Sequence, residues 1–278
     1  TRWNFVFDSL KIIQKLGYDL ISTQDPFVAG LAGVFAKFLR HKKLNIQIHN
    51  DFFKLKYFRQ ESLQNYIFYW LGKFNLFFAD SIRIVNKRLL TDKRCFVAPV
   101  AADLEFFWNK PHTKKYGQIV TVARLSKQKN LPLFFELAKE FPKLKFIVVG
   151  EGEERKNLEK ILPENVYLVG QKNRNEIKEI FKKSDIFVLT SNYEGWGIVC
   201  LEALASGLPV VMSDTGCARE INVVIGKDIK MFAETIKNLL NNSVKSKKLV
   251  LDGQKILKEK YSQEKLGSQF IKGLKNTI

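Results

Sequence analysis

The apolar positions of this chain switch period repeatedly. Residues 3–16 repeat at helical spacing and stop at Gly17, and residues 18–22 follow as a short apolar run of strand length. Asp25-Pro26 opens a second helical run that reaches about residue 39, with Pro in its first turn. Residues 44–48 alternate as a strand and end at His49-Asn50-Asp51. Residues 58–73 read as a long aromatic helix, 76–79 as a strand, 82–90 as a helix and 95–98 as a strand before Pro99. Residues 104–116 then lose any period and carry charge around Pro111. They are expected to join two domains, 1–108 and 109–278.

From Gln118 the alternation is cleaner. Strands are expected at 119–122, 145–149, 166–169, 186–189 and 210–212, and helices at 131–140, 153–162, 174–183, 197–206, 229–241 and 246–275. Short apolar strands alternating with helices build parallel sheets from strand–helix–strand units, so the fold class is α/β. Ligands of such sheets sit outside the carboxyl ends of the strands. That rule directs attention to residues 123–130, 150–153, 170–173, 190–197 and 213–219, which are rich in Gly, Ser, Thr and charge.

Composition narrows the classes. With 46% hydrophobic residues in 278, the chain is an ordinary globular one. No apolar run approaches the ~20 residues of a membrane-spanning helix. Cys95, Cys200 and Cys217 are odd in number and far apart, which argues against a disulfide framework and for the cytoplasm. The net charge of +18 is spread along the chain, without the cluster or motif of a nucleic-acid module, so no nucleic-acid partner is expected. Phosphorylated small molecules, an anionic membrane at the inner face of the cell, or simply a solvated lysine-rich surface all fit it. The aromatic and basic stretch 52–78 has two readings, a peripheral membrane face or a core helix followed by a buried strand.

Two constellations could carry chemistry. In Ala-Arg-Leu-Ser-Lys-Gln-Lys-Asn, residues 123–130, Arg124 and Lys129 leave a strand end and enter a helix N-terminus. Two cations beside free backbone N–H groups suit a diphosphate, and two surface cations are the plainer alternative. In EGWGIVCLEALASGLPVV, residues 194–211, Glu194 lies in a glycine-flanked loop and Glu202 on the following helix among Leu201, Ala203 and Leu204. A buried carboxylate needs partners, and vicinal sugar hydroxyls are good donors; a solvent-facing Glu202 is the alternative.

The run from Val120 to about Ile221 resembles the donor-binding domain of glycosyltransferase family 4, the retaining GT-B enzymes. VARLSKQKN, VVGEGEERKNLE, LVGQ, SDIFVLTS, the Glu194-to-Glu202 stretch and ASGLPVV come in the family's order. The first ~105 residues resemble the later part of its acceptor domain more loosely, through DLISTQDPFVAGLAG, IQIHN, ADSIRIVNKRL and FVAPVAADLEFF. The resemblance implies a GT-B architecture of two Rossmann-like domains with parallel sheets, a partial acceptor-side domain over 1–108 and a nucleotide-sugar donor domain over 109–278.

It also implies roles. Arg124 and Lys129 would hold the donor diphosphate, Glu202 the ribose, and Gln171 the base. Backbone at Gly195, Trp196, Gly197 and Ile198 would meet sugar or phosphate. Glu194 would lie by the transferred sugar, and His49 would reach it from the acceptor side. The implied reaction is hexosyl transfer from a UDP or GDP sugar to a glycan or lipid-linked acceptor with retention. The alternative is a non-catalytic nucleotide-sugar-binding subunit or an inactive fragment of such an enzyme. No cofactor is expected, and no Asp-x-Asp triplet occurs, so metal-independent transfer is expected. The family's opening strand and Gly-rich loop do not precede Thr1, so the N-terminal domain is expected to be incomplete. After Glu220 the usual loop is expected to be shortened to INVVIGKD.

Overall fold

The computed structural model describes residues 2–13, 15–53, 56–89, 92–111 and 116–278. The chain divides into two compact units, one of residues 1–100 with 264–278 and one of residues 101–263.

The first unit holds a four-stranded parallel sheet of β1 (Leu20–Thr23), β2 (Lys43–Ile48), β3 (Ser81–Ile84) and β4 (Cys95–Val97), paired in chain order. Alternation along β2 sends Leu44, Ile46 and Ile48 to one face and Asn45 and Gln47 to the other, and all five are buried. Burying the polar face requires partners. Asn45 receives the Ser22 hydroxyl at 3.0 Å and donates to Ser81 at 2.8 Å. Arg83 donates to Gln47 at 2.5 Å and to the carbonyls of Ala98 and Pro99, with Phe270 stacked 4.4 Å from its guanidinium carbon.

Two expectations for this unit are corrected. Residues 76–79 are not a strand: Leu76–Phe78 finish the helix Leu63–Phe78, which Ser62 starts by accepting from the Asn65 N–H. Residues 82–90 are not a helix: Ile82 and Ile84 lie in β3, followed by a 3-10 turn at Lys87–Leu89, with Leu90 outside the described residues. A short apolar run has no period that separates strand from helix. Arg83 disguised this one, because its charge is tolerated in a central strand only through partners distant in sequence.

The second unit holds a six-stranded parallel sheet of β5 (Gln118–Val122), β6 (Lys145–Val149), β7 (Val166–Leu168), β8 (Ile186–Leu189), β9 (Val210–Ser213) and β10 (Val224–Gly226). Its order is β10-β9-β8-β5-β6-β7. Ile119, Phe134, Phe146, Val148, Ile186, Val188, Val211 and Phe232 are among the side chains forming one core with the flanking helices. The loop expected after Glu220 contains the strand β10, too short to show a period. The helix expected over 246–275 breaks into Ser243–Lys260 and Gln263–Lys275, and the break turns Tyr261 inward against Trp196, ring centroids 5.3 Å apart. The expected linker 104–116 opens with a short helix, Leu104–Phe107, which Asp103 caps and which buries Phe107; residues 112–115 lie outside the described ones.

The carboxyl-end loops of this sheet nest closely. A Cβ on Gly150 (φ 137°) would lie 2.0 Å from the Ala123 carbonyl oxygen, between the loops after β5 and β6. Gly150→Ala is therefore expected to destabilise the fold by about 2–4 kcal/mol, read from the urea midpoint against the native chain.

Candidate functional site

The chain leaves β5 toward β6 and β7 on one side, then crosses to β8 on the other, so the strand order reverses between β5 and β8. At such a reversal two successive loops diverge and leave a crevice at the carboxyl ends. The loop after β5 carries Arg124 and Lys129, and the loop after β8 carries Glu194 to Gly197.

These loops are stitched together before any side chain meets. The Thr190 hydroxyl donates to the carbonyls of Lys129 and Asn130 at 3.1 and 3.0 Å, and the Asn192 N–H donates to the Gln128 carbonyl at 2.8 Å. Gln128 returns a bond to the Tyr193 carbonyl at 2.9 Å. Asn130 takes a left-handed conformation (φ 46°) to start the helix Leu131–Glu140.

Within this frame the Lys129 ammonium donates to Glu194 Oε1 at 2.5 Å, and the Ser191 hydroxyl donates to the same oxygen at 2.7 Å. The two charged side chains are 17% and 7% exposed, so this pair is a largely dehydrated one. Arg124 stands apart, mostly exposed, and meets Glu153 at 3.1 Å. The second expected cation is thus on the same loop but in a solvated ion pair.

After Glu194 the chain turns inward. Trp196 is buried on Tyr261, and its indole N–H finds no partner among the described residues. The Trp196 carbonyl accepts from the Cys217 N–H at 2.9 Å. Gly216 (φ 50°) allows that approach, since a Cβ there would lie 2.6 Å from the Trp196 oxygen and 2.9 Å from Glu194 Cβ. Gly197 (φ 85°) then starts the helix Ile198–Ala205, whose first N–H groups follow the loop. Cys200 and Cys217 are buried near Gly197. Burial first, and then the Cys217 thiol, pushes the Cys200 thiol well up, so Cys200 behaves as a small apolar group.

Glu202 lies on that helix, partly buried; its carbonyl accepts from the Ser206 N–H at 2.9 Å, and its carboxyl makes no hydrogen bond or ion pair to a described residue. Desolvation raises its pKa from 4.5 to about 7, against a downward pull from Arg174 and with a smaller push from Asp103. Arg174 itself bonds Asp103 at 3.1 Å and lies over Phe106. Gln171 is exposed just past Gly170, whose carbonyl accepts from the Gly150 N–H at 2.9 Å.

His49 belongs to the other unit, at the end of β2. Its Nε2 is buried without a partner among the described residues, and desolvation, then Arg83, push its pKa down, with Asp25 opposing. No group of three or more His, Cys, Asp or Glu side chains that could hold a metal comes together among the described residues.

Of the expected residues, the structure brings Lys129 and Glu194 into contact and sets Gly195 to Ile198 immediately after them. Ser191, Tyr261 and Arg174 were missed as contributors. Ser191 had one usable signal, its position three before Glu194; the other two act through tertiary contacts alone.

The profile of the glycosyl transferases group 1 family matches residues 103–256. The chain belongs to that family. Among curated relatives, an uncharacterised glycosyltransferase of Methanocaldococcus jannaschii, MJ1607, is 29% identical over 171 residues, which is 55% of this chain and 43% of that protein. The GtfA subunit of the Streptococcus agalactiae UDP-N-acetylglucosamine–peptide N-acetylglucosaminyltransferase is 31% identical over 138 residues, 46% of this chain and 27% of that one. The matched stretches thus span less than half the length of these relatives. Among solved structures, Anabaena HepE in complex with UDP and glucose superposes with a TM-score of 0.82 at 18% identity, over 98% of this chain and 82% of that one. TarM superposes at 0.77 with 20% identity, over 97% and 58%. The fold of the chain is therefore that of the GT-B glycosyltransferases, with parallel sheets in an α/β arrangement.

Two measurements check the geometry of this crevice. Lys129→Met strands the Glu194 carboxylate in a dehydrated position and is expected to cost about 2–4 kcal/mol in urea unfolding, much of it recovered when Glu194→Gln is added. For Glu202, the folded carboxyl keeps its proton to about pH 7 while the ordinary value is 4.5, so the folded state is penalised progressively as pH rises from the lower to the higher value. Glu202→Gln is therefore expected to leave stability nearly unchanged near pH 5 and to raise it by roughly 1–2 kcal/mol near pH 8, a figure discounted for solvent reaching the carboxyl.

Proposed function

We propose that this transferase moves a hexosyl group from a nucleoside diphosphate sugar to a glycan or lipid-linked acceptor, with retention of configuration and without a metal ion. The observation that supports this reading most is the Lys129–Glu194 pair at the strand-order reversal, with a helix N-terminus directly after it. A cation, a carboxylate and the first backbone N–H groups of a helix at one crevice match a donor whose sugar and diphosphate must be held side by side.

In this reading Arg124 and Lys129 hold the diphosphate. As the glycosidic bond breaks, negative charge gathers on the leaving phosphate, and the two cations with the N–H groups at Gly197 and Ile198 stabilise it where it develops. Lys129 has donors beyond the one given to Glu194, so it can serve phosphate and carboxylate together. Glu194 lies against the sugar and balances positive charge at its anomeric carbon. Glu202 receives the ribose hydroxyls, which supply the hydrogen bonds its carboxyl lacks. Gln171 meets the base, backbone at Gly195 and Trp196 lines the sugar, and His49 serves the acceptor side. With retention, the leaving phosphate takes the acceptor's proton on the face where the acceptor attacks.

UDP is the nucleotide to try first, because HepE was solved with UDP and with UDP-glucose; GDP is the comparison. Calorimetric titration is expected to show one nucleotide binding to the native chain. Arg124→Ala and Glu202→Ala should each weaken it about tenfold to a hundredfold, the worth of a hydrogen bond involving a charged group. Equal affinity in all three proteins, or silence from every nucleotide, overturns the donor-site assignment.

A further inference from the structure

The helix Leu63–Phe78 is amphipathic in the reverse sense. Its buried residues are Gly72, Asn75 and Leu76, and the Asn75 amide donates inward to the carbonyls of Pro26 and Phe27 at 2.9 and 2.8 Å. Its outward residues are Leu63, Tyr66, Ile67, Trp70, Phe74 and Phe77, each about half to three-quarters exposed. At about 100° per residue these six fall within an arc of about 100°, opposite the buried three. Exposed apolar side chains are ordinary when scattered; a stripe running the length of a helix is an interaction surface.

The stripe continues onto the neighbouring helix, Val28–Arg40. Phe78 lies 5.5 Å from Phe38, 5.1 Å from Phe74 and 5.2 Å from Phe77. Phe38 is 56% exposed, with Leu39 beside it at 57%. One aromatic surface thus spans two helices.

Charge selects the occupant. Neither helix carries an acidic residue. Lys73 sits 5.7 and 5.8 Å from the Phe53 and Tyr69 rings, and Arg59 sits 5.5 Å from Tyr69. Arg40 and Lys42, at the end of the second helix, have no acidic partner among the described residues. The acids nearby are already engaged: Asp80 by Lys37 and Lys43, and Glu61 by the Asn65 amide. Aromatic rings interleaved with long cationic side chains suit a bilayer interface, where rings sit at headgroup depth and the cations reach lipid phosphates. Protein interfaces are instead depleted in lysine, whereas Lys73 and Lys42 border this face.

The geometry points to peripheral docking of this face on an anionic lipid bilayer, through the outward stripe of Leu63–Phe78 together with Phe38 and Leu39. The docking is independent of the donor site, and its test uses no sugar nucleotide. Because every named side chain is exposed, substitution leaves the core untouched; circular dichroism and urea melts check this.

The experiment is co-sedimentation of the chain with vesicles of phosphatidylglycerol mixed into phosphatidylcholine, against phosphatidylcholine alone, with light scattering of the lipid-free protein alongside. Binding to the mixed vesicles is expected, weaker in high salt, with a blue shift in tryptophan emission that Trp70→Ser removes. Trp70→Ser with Phe77→Ser is expected to lower vesicle affinity by about tenfold or more, and Arg40→Glu with Lys73→Glu to lower it for the anionic vesicles. No binding to anionic vesicles overturns the proposal, as does binding that neither double variant changes or equal binding to phosphatidylcholine alone. A lipid-free oligomer that Trp70→Ser with Phe77→Ser dissolves, in the absence of vesicle binding, overturns it in favour of a second copy of the chain.

Discussion

The ion pair between Lys129 and Glu194 is the contact on which the second unit's loops depend. Two charges that have lost most of their water are tolerable only with short, well-directed hydrogen bonds between them. Lys129 gives one and Ser191 adds another to the same carboxylate oxygen. The backbone stitches from Thr190, Asn192 and Gln128 keep the loops after β5 and β8 in the register that this bond needs. Gly216 serves the same end from β9, leaving room for the Trp196 carbonyl and the Glu194 side chain. The pair is thus both a product of the parallel sheet's topology and the reason its crevice has a defined shape.

Two buried groups in the chain make no hydrogen bond to a described residue. They are the indole N–H of Trp196 in the second unit and Nε2 of His49 in the first. Unsatisfied polar atoms cost stability in the isolated chain, and such groups are tolerated where a ligand completes them. The contrast between Arg124 and Lys129 follows the same logic. Arg124 is hydrated and held by a surface acid, so it is mobile enough to change partners, whereas Lys129 is held in place from the start.

The aromatic helix of the first unit carries a different lesson. Its apolar positions repeat at helical spacing whether the stripe faces the core or the solvent, and the plainer expectation was the core. Asn75 decided otherwise. Its amide pairs with backbone carbonyls at the end of a loop distant in sequence, which fixes the polar side inward and leaves Trp70, Phe74 and Phe77 outside. Arg83 misled in the same manner. A charge in the middle of β3 reads as a break in a strand until Gln47 and two carbonyls supply its bonds.

Local pattern was enough for most of the second unit. The apolar runs of β5, β6 and β8 are long enough, and the intervening helices periodic enough, for the α/β class and the carboxyl-end loops to be read directly, and with them Lys129, Glu194 and Glu202 as candidates. The three-residue β10 and the break at Tyr261 were not legible, because neither spans a full period of its own pattern. Strand order was not legible either, since pairing β5 with β8 rather than β7 is decided by how the helices pack on the two faces. That one tertiary choice puts Lys129 beside Glu194. Residue identities determined which chemistry the chain could carry; only the folded sheet brought an ammonium and a carboxylate 65 residues apart to a separation of 2.5 Å, with the water that would have screened them excluded.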